Sequence, residues 1–192
     1  MILDICNSLA PTEDTDPPRA QYRVASQVLC AASPVFRTMF SKTSPFEEAN
    51  SLHDPSRTVP ITVKLEDDAV AFEVILNVLH FRNRHVEKQP ALPTILAIAR
   101  ITDKYQLYEA LMFITNSWYT IIKESDVTLL EKVTLAWTFR YEELFRETTR
   151  EILKVVELSC LDSPYVLGDS ATIWYLSECL PECLIGMRCE YR

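Results

Sequence analysis

The stretch SPVFRTMF at residues 33–40 contains the clearest helix start in the chain. The elements on either side of it can be predicted in turn. Serine at a helix N-cap accepts a hydrogen bond from a backbone N–H that the helix itself leaves unpaired. Proline suits the first helical position because its fixed φ is already helical and it has no N–H to satisfy. The pattern predicts a short helix from Pro34 whose inward face is formed by Val35, Phe36, Met39 and Phe40.

Upstream of this helix the sequence predicts another short helix and two strands. Ser26 can cap a helix whose apolar residues include Val28 and Leu29. Residues 20–25 alternate apolar and polar side chains, and LDIC at 3–6 is typical of a short strand. Between the two strands, residues 7–19 (NSLAPTEDTDPPR) are rich in proline, aspartate and threonine, which favour turns. We expect a polar, mobile insert there.

Downstream, residues 41–58 are predicted to be a polar loop that contains FEE at 46–48. ITVKL at 61–65 alternates cleanly and predicts a strand. The acidic run EDD at 66–68 then supplies an N-cap and favourable dipole charge for a helix ending near Arg82. The apolar residues of this helix follow helical spacing: Phe72, Ile75, Leu76 and Leu79.

The second half of the chain is predicted to be helical. Residues 95–101 are apolar nearly all round, which indicates a buried helix, and helical spacing continues through 107–118 and 125–157. Residues 159–192 show no clear periodicity, although 173–180 can form a short helix.

This order of elements predicts an α+β fold, with a short three-stranded sheet flanked by a cluster of helices and an all-α C-terminal extension. We expect one domain over residues 1–120 with its core at 20–118, a helical extension over 121–158, and a poorly defined segment over 159–192.

Composition excludes several classes of function. The net charge of -8 and a pI near 4.9 repel nucleic acid and anionic membranes. The chain has only two glycines, Gly168 and Gly186, whereas phosphate-binding loops need several close together. Kinase, GTPase and dinucleotide-binding functions are therefore excluded, and no cofactor is expected.

The six cysteines are scattered and follow no signal peptide, which indicates an intracellular location in the cytoplasm or nucleus. Charged or polar residues interrupt every hydrophobic segment, so no apolar run approaches the roughly 18 to 20 residues needed to cross a bilayer. We expect a soluble protein that does not bind membranes.

Several of these motifs together resemble the BTB/POZ family, particularly its fungal members. They are VASQVL at 24–29, SPVFRTMF at 33–40, the strand at 61–65 with DD at 67–68, and DKY at 103–105; LHFRN at 79–83 is similar to the fungal branch. The resemblance covers about residues 20–118. It implies an α/β core used for homodimerisation, heterodimerisation or docking onto other proteins, without family-wide catalysis or cofactor.

Three features depart from the family pattern. Ala25 stands where many members have histidine. The first strand begins almost at Met1, so the arm that many family dimers exchange is missing, and self-pairing is not assumed. The insert at 7–19 replaces a short turn. The expected partners are other proteins, among them a second copy of the chain or another BTB protein.

Some members of the family act as adaptors that bind a cullin scaffold of ubiquitin ligases through a hydrophobic-x-Glu motif. Phe46 and Glu48 match that motif and are the candidate partner-binding residues. An exposed Phe46 could anchor in a partner groove while Glu48 pairs with a basic rim. In the alternative, Phe46 closes over the domain core. The helices at 125–157 either reinforce a cullin contact, as in adaptor proteins, or simply lengthen the domain.

A small thiol- or metal-dependent enzyme is the alternative from another class. Cys179, Cys183 and Cys189 provide three thiols, but structural zinc needs four ligands, and the histidines lie far away in sequence. No cysteine pairs with His80 or His85 in a recognisable catalytic motif, and His80 is predicted to be a hydrogen-bonded structural residue. We therefore expect no catalytic residues and no metal site.

Overall fold

The structure is a computed structural model, and it describes residues 1–6, 19–56 and 58–161. The chain divides into two units, Met1–Trp118 and Tyr119–Arg192. The predicted insert at 7–19, apart from Arg19, and the helix predicted at 173–180 lie outside the described residues.

Three short strands form a mixed sheet in the first unit, in the order β2-β1-β3. The central strand β1 (Ile2–Cys6) is antiparallel to β2 (Arg19–Arg23) and parallel to β3 (Thr62–Glu66). Alternate side chains of β3 are exposed, whereas Val63 and Leu65 are buried, as period-2 alternation requires. The three predicted strands are confirmed, with their ends shifted by one or two residues.

Six α-helices and one 3₁₀ turn at Asn83–His85 accompany this sheet among the described residues of the first unit. The helices are α1 (Ser26–Ala32), α2 (Pro34–Met39), α3 (Glu47–His53), α4 (Ala69–Leu79), α5 (Leu92–Tyr105) and α6 (Tyr108–Ser117). The predicted inward face of α4 is confirmed, because Phe72 and Ile75 are fully buried. The predicted burial of residues 95–101 is confirmed in part: Ile95 and Ile98 are buried, whereas Arg100 is exposed. The predicted α+β class is likewise confirmed.

The start of α2 follows the prediction closely. Ser33 is the N-cap, and its Oγ accepts a hydrogen bond from the Phe36 N–H at 3.0 Å, with Pro34 in the first turn. The start of α1 does not follow the prediction. Ser26 is the first helical residue rather than the cap, because the N-cap is Ala25, which has no capping side chain. The Ala25 N–H is satisfied instead by Nε2 of His80, at 3.2 Å.

The prediction of a polar loop over residues 41–58 is wrong in part, because α3 occupies Glu47–His53. Acidic side chains at Glu47 and Glu48 in the first turn favour this helix through the positive end of its dipole. The buried Ala49 attaches α3 to the core, and Nε2 of His53 lies 2.9 Å from the Phe40 carbonyl oxygen. The helix escaped prediction because its buried face is too small to give a visible apolar period.

Helix α4 ends at Leu79 rather than near Arg82, because Phe81 adopts a left-handed conformation with φ of 58°. The Arg82 N–H donates to the Asn77 carbonyl at 2.7 Å and the Phe81 N–H donates to the Val78 carbonyl at 3.1 Å. These two bonds form a Schellman cap, in which a left-handed residue usually is glycine.

Two further helices end in the same way. Gln106 (φ 52°) and Arg140 (φ 60°) are left-handed, and the residues after them donate to Thr102 and Ala136 at 2.9 and 2.8 Å. A left-handed conformation costs a residue with a Cβ roughly 1–2 kcal/mol. The chain has only two glycines, and three helix ends within its described ranges carry this cost.

The described part of the second unit consists of α7 (Tyr119–Lys123), α8 (Leu129–Thr138) and α9 (Glu142–Leu161). Thr128 and Glu131 form a reciprocal capping box at the start of α8. The Lys123–Glu147 ion pair at 3.2 Å is exposed on both sides and adds little stability. No helix in the described ranges is long and apolar enough to span a membrane.

Tyr105, the last residue of α5, connects three parts of the first unit. Its carbonyl oxygen accepts a 2.6 Å hydrogen bond from the buried Ser33 Oγ, and its hydroxyl donates to Oδ2 of Asp67 at 2.7 Å. Its ring stacks on Phe36 at a centroid distance of 4.5 Å and meets Phe72 edge-on at 5.8 Å. Tyr105 therefore holds the end of α5 against the start of α2 and the turn between β3 and α4.

Asp67 completes this contact from the other side. Nζ of Lys104 lies 2.8 Å from Oδ1 of Asp67, so both carboxylate oxygens have a partner. Burial raises the pKa of the Tyr105 hydroxyl well above its usual range, and the hydrogen bond to Asp67 raises it further. The neutral phenol therefore stabilises the fold below about pH 10, the ordinary tyrosine pKa, and this contribution is lost as the pH rises beyond that value.

We predict that Tyr105→Phe lowers the free energy of unfolding by about 1.5–3 kcal/mol, because it removes a buried hydrogen bond to a charged acceptor. The matched control is Tyr22→Phe, whose hydroxyl makes longer bonds of 3.3 Å to Ala69 and Glu73 and which should lose less than about 1 kcal/mol. Urea unfolding of the full chain measures both changes. Equal losses in the two variants would contradict the assigned role of Tyr105.

Candidate functional site

Phe46 lies immediately before α3, where its backbone is fixed but its side chain is not enclosed. Its carbonyl oxygen accepts the hydrogen bonds that begin α3, from the Ala49 N–H at 3.2 Å and the Asn50 N–H at 3.4 Å. Its side chain is 50% exposed. Half of the ring surface therefore remains available for contact.

An open depression of about 390 Å³ adjoins the Phe46 ring. We call it the Phe46 surface, and it is mostly apolar. Six residues line it: Pro34, Val35, Thr38, Met39, Phe46 and Gln106. A volume of this size falls within the range of concave binding sites in proteins. The depression is open to solvent, so it suits a side chain that protrudes from a partner protein better than an enclosed small molecule.

Helix α2 supplies most of this lining because it is apolar on two sides. Phe36 and Phe40 are buried in the core, as predicted. Val35 and Met39 were predicted to share that inward face, and this is wrong: both are partly exposed and line the Phe46 surface. The four apolar positions span more of the helix circumference than one core contact covers, so the helix divides them between two faces.

The walls of the Phe46 surface are held in place by backbone contacts. The Ser33 cap fixes the first turn of α2, and Nε of Arg37 donates to the Cys30 carbonyl at 3.0 Å, which ties α2 to α1. Gln106 sits at the left-handed end of α5, directly after Tyr105. The surface is therefore preorganised, which lowers the entropy lost on binding.

Negative charge lies beside this apolar surface. Glu47 is exposed and Glu48 is half-buried in the first turn of α3, one and two residues after Phe46. Glu48 does not line the depression itself. The structure thus brings one of the two predicted residues, Phe46, into the surface and leaves the other at its margin, where a carboxylate can pair with a cation on a partner.

The acidic run before α4 has two separate roles. Asp68 caps α4 by accepting a hydrogen bond from the Ala71 N–H at 2.8 Å, which confirms the predicted capping. Asp67 does not cap the helix and instead binds Lys104 and Tyr105.

His80 is confirmed as a hydrogen-bonded structural residue. Its Nδ1 lies 3.0 Å from the Leu76 carbonyl oxygen and must donate to it, while Nε2 accepts from Ala25. Burial raises the pKa of the Cys30 thiol, which disfavours the reactive thiolate. In the part of the chain that the structure describes, no group of three or more His, Cys, Asp or Glu residues could hold a metal. The thiols of Cys179, Cys183 and Cys189 lie outside that part.

Comparison with known proteins identifies one family. The model of the BTB/POZ domain matches residues 15–117, which is more than half of the chain. No curated protein matches the sequence. The matched range includes every residue that lines the Phe46 surface.

We predict that Phe46→Ala lowers the free energy of unfolding by less than about 1 kcal/mol, because half of the ring is already in water. Phe40→Ala serves as the contrasting variant: its ring is 3% exposed, and its loss should cost about 3–5 kcal/mol. Thermal and urea unfolding of the purified chain measure both values. A loss at Phe46 as large as that at Phe40 would show that Phe46 is a core residue.

Proposed function

The chain belongs to the BTB/POZ family, whose domain is a non-enzymatic protein–protein interaction module, and we propose that it acts by binding another protein at the Phe46 surface. No reacting group is needed for this function. It requires an apolar area that can be removed from water, a fixed shape, and charge that a partner can complement.

The observation that carries the proposal is the exposed ring of Phe46 on a mostly apolar depression. Interfaces are commonly centred on a few aromatic anchors that become fully desolvated on binding. The Phe46 backbone is already held by the hydrogen bonds that begin α3, so a partner does not have to order that backbone. Met39 offers a flexible apolar contact beside it.

We propose a cullin scaffold as the partner, which would make the chain an adaptor subunit of a ubiquitin ligase. The support is the hydrophobic-x-Glu spacing of Phe46 and Glu48, together with the exposure of Phe46. In this arrangement Phe46 enters an apolar groove of the partner, and the carboxylates of Glu47 and Glu48 face a basic rim. Charged rims of this kind chiefly set specificity and the rate of association.

Three further parts of the proposal rest on the sequence. LHFRN at 79–83 supports a place in the fungal branch of the family. The scattered cysteines support an intracellular location, in the cytoplasm or nucleus. We also propose the division into a BTB/POZ domain at 1–120, a helical extension at 121–158 and a C-terminal segment at 159–192.

Binding of the full chain to a recombinant cullin scaffold, measured by biolayer interferometry, tests the proposal. We expect Phe46→Ala combined with Glu48→Lys to weaken binding at least about tenfold, since it removes an anchor and reverses a rim charge. The matched control is Val70→Ala with Glu73→Lys, which also removes an exposed apolar side chain and reverses an exposed carboxylate. It should change affinity less than about twofold.

Two results would contradict the adaptor assignment. One is undiminished cullin binding by the Phe46 and Glu48 double variant, which would place the contact elsewhere. The other is no cullin binding by the wild-type chain. If light scattering then showed self-association that Phe46→Ala abolishes, the Phe46 surface would be a homotypic interface.

A further inference from the structure

A second surface in the first unit combines an exposed aromatic ring with positive charge. It is the segment FRNRHVEK at residues 81–88, between α4 and α5, which we call the basic loop. The Phe81 side chain is 87% exposed, more than any other large apolar side chain among the described residues. None of the residues of the basic loop lines the Phe46 surface.

The backbone holds the basic loop in a defined shape. The Schellman cap fixes Phe81 and Arg82, and the 3₁₀ turn at Asn83–His85 follows at once. The His85 N–H donates to the Arg82 carbonyl at 2.9 Å, and the buried side chain of Val86 attaches the far end of the loop to the domain. His80 fixes the near end through its two hydrogen bonds. Phe81 is thus displayed on an ordered turn.

The residue type at position 81 is unfavourable for folding. Its left-handed conformation suits glycine, and a ring that is 87% exposed gains little from packing. The other two left-handed residues in the described ranges, unlike Phe81, have neighbours that account for their side chains. Gln106 lines the Phe46 surface, and the Arg140 guanidinium lies 5.4 Å from the centre of the Trp137 ring. Residues held in sparsely populated backbone conformations cluster at ligand-binding and switch regions, so the exposed Phe81 points to a functional position.

The charge of the basic loop opposes that of the chain. Arg82, Arg84 and Lys88 are exposed, and within the described ranges none of them forms an ion pair. Glu87 is the one carboxylate in the loop, whereas the whole chain carries a net charge of -8. A local excess of cations in the same short loop as an exposed aromatic ring complements an anionic group that lies next to an apolar one.

We propose that the basic loop binds an acidic peptide segment of a partner protein, one that carries a large apolar side chain among its carboxylates. Phe81 packs against the apolar side chain, and Arg82, Arg84 and Lys88 pair with the carboxylates. Arginine suits this role because its planar fork can bind a carboxylate through two hydrogen bonds. A peptide is favoured over nucleic acid, because the field of the whole chain repels an extended polyanion whereas a short segment meets only the local cations.

The test uses fluorescence anisotropy of a labelled seven-residue peptide made of glutamate and aspartate with one central phenylalanine. The full wild-type chain should bind it at low salt, and the double variant Arg82→Glu, Arg84→Glu should bind it at least about tenfold more weakly. A peptide with central alanine should also bind more weakly. The matched charge control is Arg146→Glu with Arg150→Glu, two exposed arginines of α9 whose reversal should leave binding within about twofold.

The variant Phe81→Gly distinguishes a binding role of Phe81 from a purely structural one. It should raise the midpoint of thermal unfolding by a few degrees, because glycine tolerates the left-handed conformation, and it should weaken peptide binding at least about fivefold. Phe113→Ala removes an aromatic ring that is 85% exposed on α6 and should leave peptide binding unchanged. Opposite effects on stability and binding in one variant would support the proposal.

Four results would overturn it. The first is no binding of the central-phenylalanine peptide by the wild-type chain up to about 1 mM, where the binding free energy would be only about 4 kcal/mol. The second is unchanged binding by Phe81→Gly. The third is tighter binding of a single-stranded oligothymidine than of the peptide. The fourth is self-association that Arg82→Glu with Arg84→Glu abolishes, which would make a second copy the occupant. None of these results bears on the Phe46 surface.

Discussion

The hydrogen bond between the Tyr105 hydroxyl and Asp67 is the contact on which the arrangement of the first unit depends most. A phenol and a carboxylate that are largely removed from water are unfavourable without hydrogen-bond partners, and here Tyr105 and Lys104 together satisfy Asp67, so the contact is specific as well as attractive. The Tyr105 carbonyl oxygen adds a second constraint through Ser33, which in turn caps α2. One residue thus holds the end of α5 against the start of α2 and against the β3–α4 turn.

The same constraint produces the Phe46 surface. Because Phe36 stacks on Tyr105, α2 is oriented with Phe36 inward and with Val35 and Met39 outward, toward Phe46. Gln106 follows Tyr105 in a left-handed conformation and reaches the same depression. The Phe46 surface is therefore the outer side of the packing that stabilises the core, and that packing holds its shape.

Much of the fold can be predicted from the sequence, because its signals are local. The Ser33-Pro34 start of α2 and the apolar spacing of α4 need no knowledge of the rest of the chain. Helix α3 could not be predicted, since it is stabilised by tertiary contacts of Ala49 and His53 rather than by a periodic apolar face. The role of Asp67 was missed for a related reason: its partners, Lys104 and Tyr105, lie almost forty residues away.

The candidate site could be predicted only in part. Phe46 was identifiable from its motif, but the lining residues Thr38 and Gln106 carry no signal of their own in the sequence. The division of α2 into two apolar faces also depends on Tyr105, which no pattern within α2 reveals. The scarcity of glycine gave no warning that Phe81, Gln106 and Arg140 would take the left-handed positions that glycine usually occupies at helix ends.

The central claim is that this chain acts by placing the Phe46 surface against another protein. Photo-crosslinking in cells that naturally produce the full chain tests it most directly, with a photoreactive phenylalanine analogue at position 46 and, separately, at position 70, which is also exposed. The account predicts that position 46 yields one discrete adduct, which mass spectrometry assigns to a defined segment of one partner, and that position 70 does not. Absence of an adduct at position 46, or the same adduct from both positions, would contradict it.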